Sequence, residues 1–138
     1  MGVLSDLVVI PEQELSKLLA ADVPSEQFDG VDLSGVMPET LAALHEVVLG
    51  VAPAVEAYEP IASAGEEGPW ISRIADPLVA ALAQLDTAAV TRAAAAWLAQ
   101  GDDAPECDAD EAIDLLDAIC EQARRAKPGD AMFLWVSL

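Results

Sequence analysis

The feature that most constrains the fold is an apolar run, Ala131 to Leu138, that follows the turn Pro128-Gly129-Asp130. The run has eight residues, and none of them is charged. It falls well short of the ~20 apolar residues that a membrane-spanning helix needs. Strands that are buried on both faces read as continuous apolar runs, because neither face meets water. The run therefore predicts a strand near the middle of a small sheet, and another segment must pair with it.

The segment before this strand, Ala109 to Ala126, is typical of an amphipathic helix. Asp108 is a suitable N-cap, and Glu111 follows three residues later as in a capping box. The apolar residues recur every three or four positions, which places them on one helix face: Ala112, Leu115, Leu116, Ile119, Cys120, Ala123 and Ala126. We expect this face to be buried and the acidic face opposite it to meet solvent.

Two further segments predict strands. Val3 to Ile10 is rich in β-branched residues and is the expected partner of the C-terminal strand. Trp70 to Ile74 predicts a third, short strand. The expected fold class is α+β, with a small sheet that contains the N- and C-terminal strands and is packed by about five helices. The length favours a single domain over residues 1–138.

Proline and aspartate mark the starts of the other helices, since proline suits the first helical position and aspartate is a good N-cap. The predicted helices begin at Pro11, at Pro38 (ending near Leu49), at Asp76 and at Asp86, with a short helix from Pro53 through Val55, Tyr58 and Ile61. Asp22 to Met37 contains Pro24, Gly30 and Gly35 and predicts a long loop.

The acidic excess limits the classes of partner. The net charge is −19, from 25 acidic and 6 basic residues. A surface of this sign repels phosphate backbones and anionic membranes, so we expect neither nucleic acid nor a membrane as partner. It is compatible with a basic protein partner, and equally with a charged surface that serves only solubility.

No pattern in the sequence indicates a metal or another cofactor, and we expect none. Cys107 lies in an acidic loop, where carboxylates raise a thiol pKa, and Cys120 lies on the apolar face of its helix. The pairs Glu66-Glu67 and Asp102-Asp103 lack the ligand spacing of a calcium loop. The N-terminus lacks a basic, apolar leader, so a soluble cytoplasmic protein is expected.

The chain resembles the YfbM-like family of small uncharacterised bacterial proteins. Four pieces carry the resemblance in the family's order: Met1-Gly2 running into Pro11-Glu12-Gln13-Glu14-Leu15, Val31-Asp32-Leu33 followed by Leu41 to Gly50, Gly68-Pro69 before Ile74, and the final helix and strand ending Phe133-Leu134-Trp135-Val136. The resemblance implies an α+β fold with helices around a small sheet, and no activity. His45 matches a position where the family tends to have histidine.

Four residues are candidates for a binding site. His45, the only histidine, is either a base or ligand at the edge of a cleft or a hydrogen-bonded residue at the rim of the core. Arg73 is either an anion clamp beside Trp70 or part of a structural salt bridge. Tyr58 and Trp70 could line a pocket, although aromatic residues at such spacing usually belong to the core. No catalytic residue is assigned, because nucleophile and phosphate-loop motifs are missing from the sequence.

Two functions stay open at this stage. The first is a non-enzymatic acidic protein-interaction module that binds a basic partner as an immunity protein does, acting as a monomer or a homodimer. The alternative is a small-molecule-binding protein or weak enzyme with a pocket near His45 and Arg73. A concave pocket that converges on both residues favours the alternative, whereas a flat acidic face above them favours the interaction module. A homodimer through the terminal strand requires that this strand lie at a sheet edge.

Overall fold

The computed structural model describes residues 3–33, 36–54, 56–66 and 68–137. Within these ranges five strands form one sheet: β1 (Leu4–Pro11), β2 (Val31–Asp32), β3 (Pro60–Ser63), β4 (Trp70–Arg73) and β5 (Asp130–Ser137). The strand order is β2-β1-β5-β4-β3, and every neighbouring pair is antiparallel. The N-terminal and C-terminal strands are therefore adjacent, as the sequence predicts.

β5 is the central strand of the sheet. It pairs with β1 along its whole length, from Leu4 opposite Ser137 to Pro11 opposite Asp130, and with β4 on its other side. The stretch 131–136 is buried throughout. The prediction of a doubly buried central strand is confirmed, although Leu138, at the end of the predicted run, lies outside the described residues. Because β5 is not at an edge, the condition for a homodimer through this strand is not met.

Six α-helices are present in the part of the chain that the structure describes: α1 (Leu15–Leu19), α2 (Pro24–Gln27), α3 (Pro38–Leu49), α4 (Asp76–Gln84), α5 (Thr87–Leu98) and α6 (Ala109–Arg124). α3 begins at Pro38 and ends at Leu49, and its C-cap is Gly50, whose φ of 75° lies in the left-handed region that glycine tolerates. Asp86 and Asp108 cap α5 and α6, each accepting a backbone hydrogen bond of 2.8 Å from the residue three positions later. The α+β prediction is confirmed.

The sheet separates two apolar clusters of unequal size. The larger cluster lies between the sheet and helices α3 to α6 and takes Met132, Leu134 and Val136 from β5. The smaller cluster lies on the other face and takes Ala131, Phe133 and Trp135 from β5, with Leu15, Leu18, Leu19 and Phe28 packed over it. Alternate residues of a strand point to opposite faces. Two covered faces therefore explain why residues 131–136 of β5 are all apolar.

The short helix predicted from Pro53 is wrong. The described residues 56–59 form turns, and the chain then continues as β3 from Pro60 to Ser63. Pro60 cannot donate the backbone hydrogen bond that a helix requires, and an edge strand tolerates proline because one side of it is unpaired. Val55, which the prediction included, lies outside the described residues.

Three other local predictions need correction. The segment Asp22 to Met37 is not only a loop, because it contains α2 and the two-residue strand β2, and Leu33 at its end is only 2% exposed. Asp76, predicted as a helix N-cap, is instead the first residue of α4, and Ala75 is the N-cap. The Asp76 carboxylate accepts hydrogen bonds from Arg73 instead. Pro11, predicted as the first residue of a helix, is instead the last residue of β1, and α1 begins at Leu15.

Candidate functional site

A cleft of about 750 Å³ lies between the start of α3 and the loop that leads into α6. We name it the acidic groove. Its apolar lining is buried or half-buried and consists mainly of Val3, Leu33, Val36, Met37 and Leu115. Its charged lining is exposed and consists of Glu39, Asp102, Asp103, Glu106 and Glu111. None of the described residues that line it is basic.

The local structure holds these carboxylates in place. Glu39 and Glu111 lie in the first turns of α3 and α6, where the helix dipole favours a negative charge. Asp102 and Asp103 lie in a 3₁₀ turn over Gly101–Asp103, which joins α5 to the groove loop. Both helix starts and the turn face one cleft, so acids that are ordinary for their own elements become one negative surface.

The electrostatic effect of this surface is visible at Cys107, which also lines the groove. Its pKa is raised, first by burial and then by the charges of Glu111 and Asp108. The pKa of Glu111 is itself raised by a hydrogen bond to Asp108 and by repulsion from it. Cys107 therefore stays a thiol at neutral pH, as expected from the sequence.

The groove does not have the form of a metal site. Among residues 3–33, 36–54, 56–66 and 68–137, no group of three or more His, Cys, Asp and Glu side chains is placed to hold a metal ion. A divalent cation needs several oxygen ligands at about 2.0–2.6 Å from one point. Carboxylates that are spread along a cleft instead match a ligand that carries several positive charges at intervals.

A second cleft of about 530 Å³ adjoins the first. We name it the aromatic cleft. Tyr58 and Trp70 line it together with Met37, Pro38, Glu39, Ala42, Glu59, Pro60, Ser72 and Val136. Met37 and Glu39 line both clefts, so the two share a wall at the start of α3. In the lining of the aromatic cleft, Tyr58 is buried and Trp70 is half-buried.

His45 lies behind Tyr58 and not in the lining of the cleft. The Nδ1 atom of His45 is 2.8 Å from the Tyr58 hydroxyl oxygen, and the two rings meet edge to face with centroids 5.6 Å apart. Burial lowers the pKa of His45. Burial also raises the pKa of Tyr58 to about 12, despite a hydrogen bond with the backbone of Ala75 that acts in the opposite direction. The pair is therefore neutral at physiological pH and stabilises the wall of the cleft.

Arg73 lies apart from the other three predicted site residues. Its guanidinium donates to Glu12 and to both carboxylate oxygens of Asp76, at 3.1 and 3.2 Å for the latter. The strand register places Arg73 opposite Phe133, whose side chain belongs to the smaller cluster. Arg73 thus lies on the other face of the sheet. The structure brings His45, Tyr58 and Trp70 together, and it engages Arg73 in salt bridges.

The acidic groove itself was not predicted from the sequence. The sequence shows the acidic pair Asp102-Asp103 in a loop, but the pair by itself indicates neither a metal site nor a groove. Glu39 and Glu106 carry no local signal, because isolated acids at helix starts and in loops are common. Only the packing of α3 beside α5 and α6 reveals that these residues share a cleft with Val36 and Leu115.

The buried histidine gives a pH-dependent prediction. The pKa of His45 in the folded protein lies below its ordinary value of 6.5. As the pH falls through 6.5, the unfolded chain takes up a proton that the folded protein does not. We therefore expect the free energy of unfolding to fall between about pH 7.5 and about pH 5.5. Urea denaturation across this range measures the effect.

The control for this prediction is His45→Asn, which removes the titrating group and retains a polar atom near the Tyr58 hydroxyl. All carboxylates are the same in the two proteins, and His45 is the only histidine. The variant should show a flatter dependence of stability on pH in this range. An identical slope in both proteins contradicts the assignment of the effect to His45.

Comparison of the chain with protein-family models, with curated proteins and with solved structures found no match. The resemblance to the YfbM-like family therefore stays a prediction. No helix in the described part of the chain is long and apolar enough to cross a membrane.

Proposed function

We propose that this protein is a non-enzymatic interaction module that binds a basic segment of a partner protein in the acidic groove, as an immunity-type protein does. One observation carries the proposal: five exposed carboxylates line a cleft that also has an apolar portion and whose described lining contains no basic residue. Interfaces commonly combine an apolar centre with a polar rim. Lysine and arginine suit such a groove because their stems are apolar and their ends are charged.

The groove carboxylates are not neutralised by the salt bridges within the fold. The described residues contain three such ion pairs, Lys17–Glu14, Arg73–Glu12 and Arg73–Asp76, and none of them involves a groove residue. Two further cations, Arg124 and Arg125, donate to the backbone carbonyls of Leu85 and Asp29. Most of the few basic side chains therefore make contacts within the fold. This supports the proposal that the cations for the groove carboxylates come from a partner protein.

A small-molecule-binding function is the second candidate. The aromatic cleft supports it, because its volume of about 530 Å³ lies within the ~300–1,000 Å³ range of ligand pockets and Tyr58 and Trp70 line it. It has less support than the interaction module. Two of its four proposed residues lie elsewhere, since His45 is behind Tyr58 and Arg73 is on the other face of the sheet.

The proposal predicts salt-sensitive binding of a basic peptide. The probe is a fluorescein-labelled peptide of lysine, arginine and alanine, and its Kd is measured by fluorescence anisotropy at low and moderate salt. We expect the triple variant Asp102→Asn, Asp103→Asn, Glu106→Gln to bind about tenfold more weakly than the wild type. Each removed carboxylate is expected to weaken the binding free energy by about 0.5 kcal/mol, and a loss of about 1.4 kcal/mol raises Kd tenfold.

A matched control separates a local groove from general acidity. The triple variant Asp114→Asn, Asp117→Asn, Glu121→Gln removes the same types of side chain and the same charge from exposed positions of α6 outside the groove. We expect a much smaller change in Kd from this control. Equal losses in both triple variants, or no salt-sensitive binding by the wild type, contradict the proposal.

A further inference from the structure

We infer that the aromatic cleft receives a large apolar side chain of the same basic segment. The partner motif is then a run of lysine or arginine with an aromatic or long aliphatic residue beside it. This inference rests on the proposed function, because it assigns the second cleft to the partner that the acidic groove binds.

Continuity of the two clefts is the first support. Met37 and Glu39 contribute to both, so the clefts meet across the residues that begin α3. A segment that lies in the acidic groove and passes over this shared wall brings its next side chains to the aromatic cleft. A basic residue and an apolar residue close in sequence can therefore occupy the two clefts together.

The chemistry of the cleft selects an apolar side chain. Pro38, Ala42, Pro60 and Val136 supply much of the lining, together with the ring of Trp70. The Tyr58 hydroxyl already makes a hydrogen bond with His45. An aromatic side chain binds most favourably against such a lining, because it buries a large apolar area against Trp70.

The charges at the cleft select the same partner as the groove. Glu39 and Glu59 are exposed carboxylates in the lining, and none of the described residues around the cleft is basic. A cation next to the anchor can interact with these carboxylates and with the ring of Trp70. A second copy of this chain is a poor occupant, since each copy carries a net charge of −19 and the copies repel each other.

The test uses two fluorescein-labelled peptides and three forms of the full chain. One peptide contains only lysine, arginine and alanine, and the other has tryptophan in place of one alanine at its end. The cleft variant is Ala42→Leu, which adds volume to the cleft from a half-buried position on α3 without changing charge. The control is Ala95→Leu, the same change at an exposed position of α5 outside both clefts.

We expect the wild type and the control to bind the tryptophan peptide about tenfold more tightly than the alanine peptide, which is a modest share of what burial of one aromatic side chain supplies. Ala42→Leu should reduce this ratio to near one and leave the Kd of the alanine peptide unchanged. The ratio should also be insensitive to salt, because it reflects apolar burial, whereas both Kd values rise with salt.

The outcomes distinguish the two proposals. If neither peptide binds in a salt-sensitive way, the proposed function fails. If both peptides bind the wild type with salt-sensitive and equal affinity, the function stands and the anchor inference is wrong. If the tryptophan peptide binds more tightly but Ala42→Leu leaves the ratio unchanged, the anchor lies outside the aromatic cleft and the inference is again overturned.

Discussion

Replacement of Trp97 by alanine is expected to lower the free energy of unfolding by about 3–5 kcal/mol. Trp97 on α5 is fully buried in the larger cluster, and its indole nitrogen donates a hydrogen bond of 2.9 Å to the Thr40 carbonyl on α3. The substitution leaves a large cavity and also removes this link between the helices. Urea denaturation followed by far-ultraviolet circular dichroism measures the change.

Trp97→Phe is the matched control, because it retains an aromatic ring and removes the indole N–H. We expect Trp97→Phe to lower the free energy of unfolding by clearly less than the alanine variant does. Loss of the hydrogen bond should account for about 0.5–1.5 kcal/mol of the decrease. A loss below about 1 kcal/mol in Trp97→Ala would show that α5 does not depend on this side chain for its packing.

Replacement of Phe133 by alanine should also lower the free energy of unfolding by about 3–5 kcal/mol. This residue lies on the opposite face of the sheet from Trp97. Phe133 is 1% exposed at the centre of β5 and anchors the smaller cluster. That face is covered by the short helix α1 and by Phe28, so few other side chains can fill the cavity. The same denaturation experiment measures it.

The other phenylalanine of the chain, Phe28, provides the control, since it is half-buried at the margin of the smaller cluster. Phe28→Ala should cost less than half as much as Phe133→Ala, because its ring already meets solvent. Both clefts lie on the face of the larger cluster, so folded Phe133→Ala should bind the basic peptide with unchanged Kd. Equal destabilisation by the two variants would contradict the assignment of Phe133 to the centre of the smaller cluster.

The parts of the fold that were predicted correctly are those specified by short-range patterns. The uncharged run 131–138 predicted a central strand, since burial on both faces suits a run of eight uncharged residues of which all but Ser137 are apolar. The three- and four-residue spacing of α6, with Asp108 before it, predicted that helix and its N-cap. In both cases the physical cause lies within the segment itself.

The parts that were predicted wrongly or not at all depend on distant partners. β2 has two residues and exists because Val31 and Asp32 lie beside Leu7 and Asp6 of β1. β3 replaced a predicted helix because β4 supplies its hydrogen bonds. Such pairing outweighs weak local preference, since strand propensity depends strongly on context.

The same distinction between local pattern and distant packing applies to the candidate site. The sequence by itself determined the acidic excess, the single histidine, and the α+β arrangement around the terminal strands. Only the tertiary structure decided that Tyr58 and Trp70 share a cleft, that Arg73 lies across the sheet from them, and that carboxylates from α3, α6 and the loop between α5 and α6 surround one groove. The physical reason is that charge and periodicity are properties of the chain, whereas a cleft is a property of how separate elements pack.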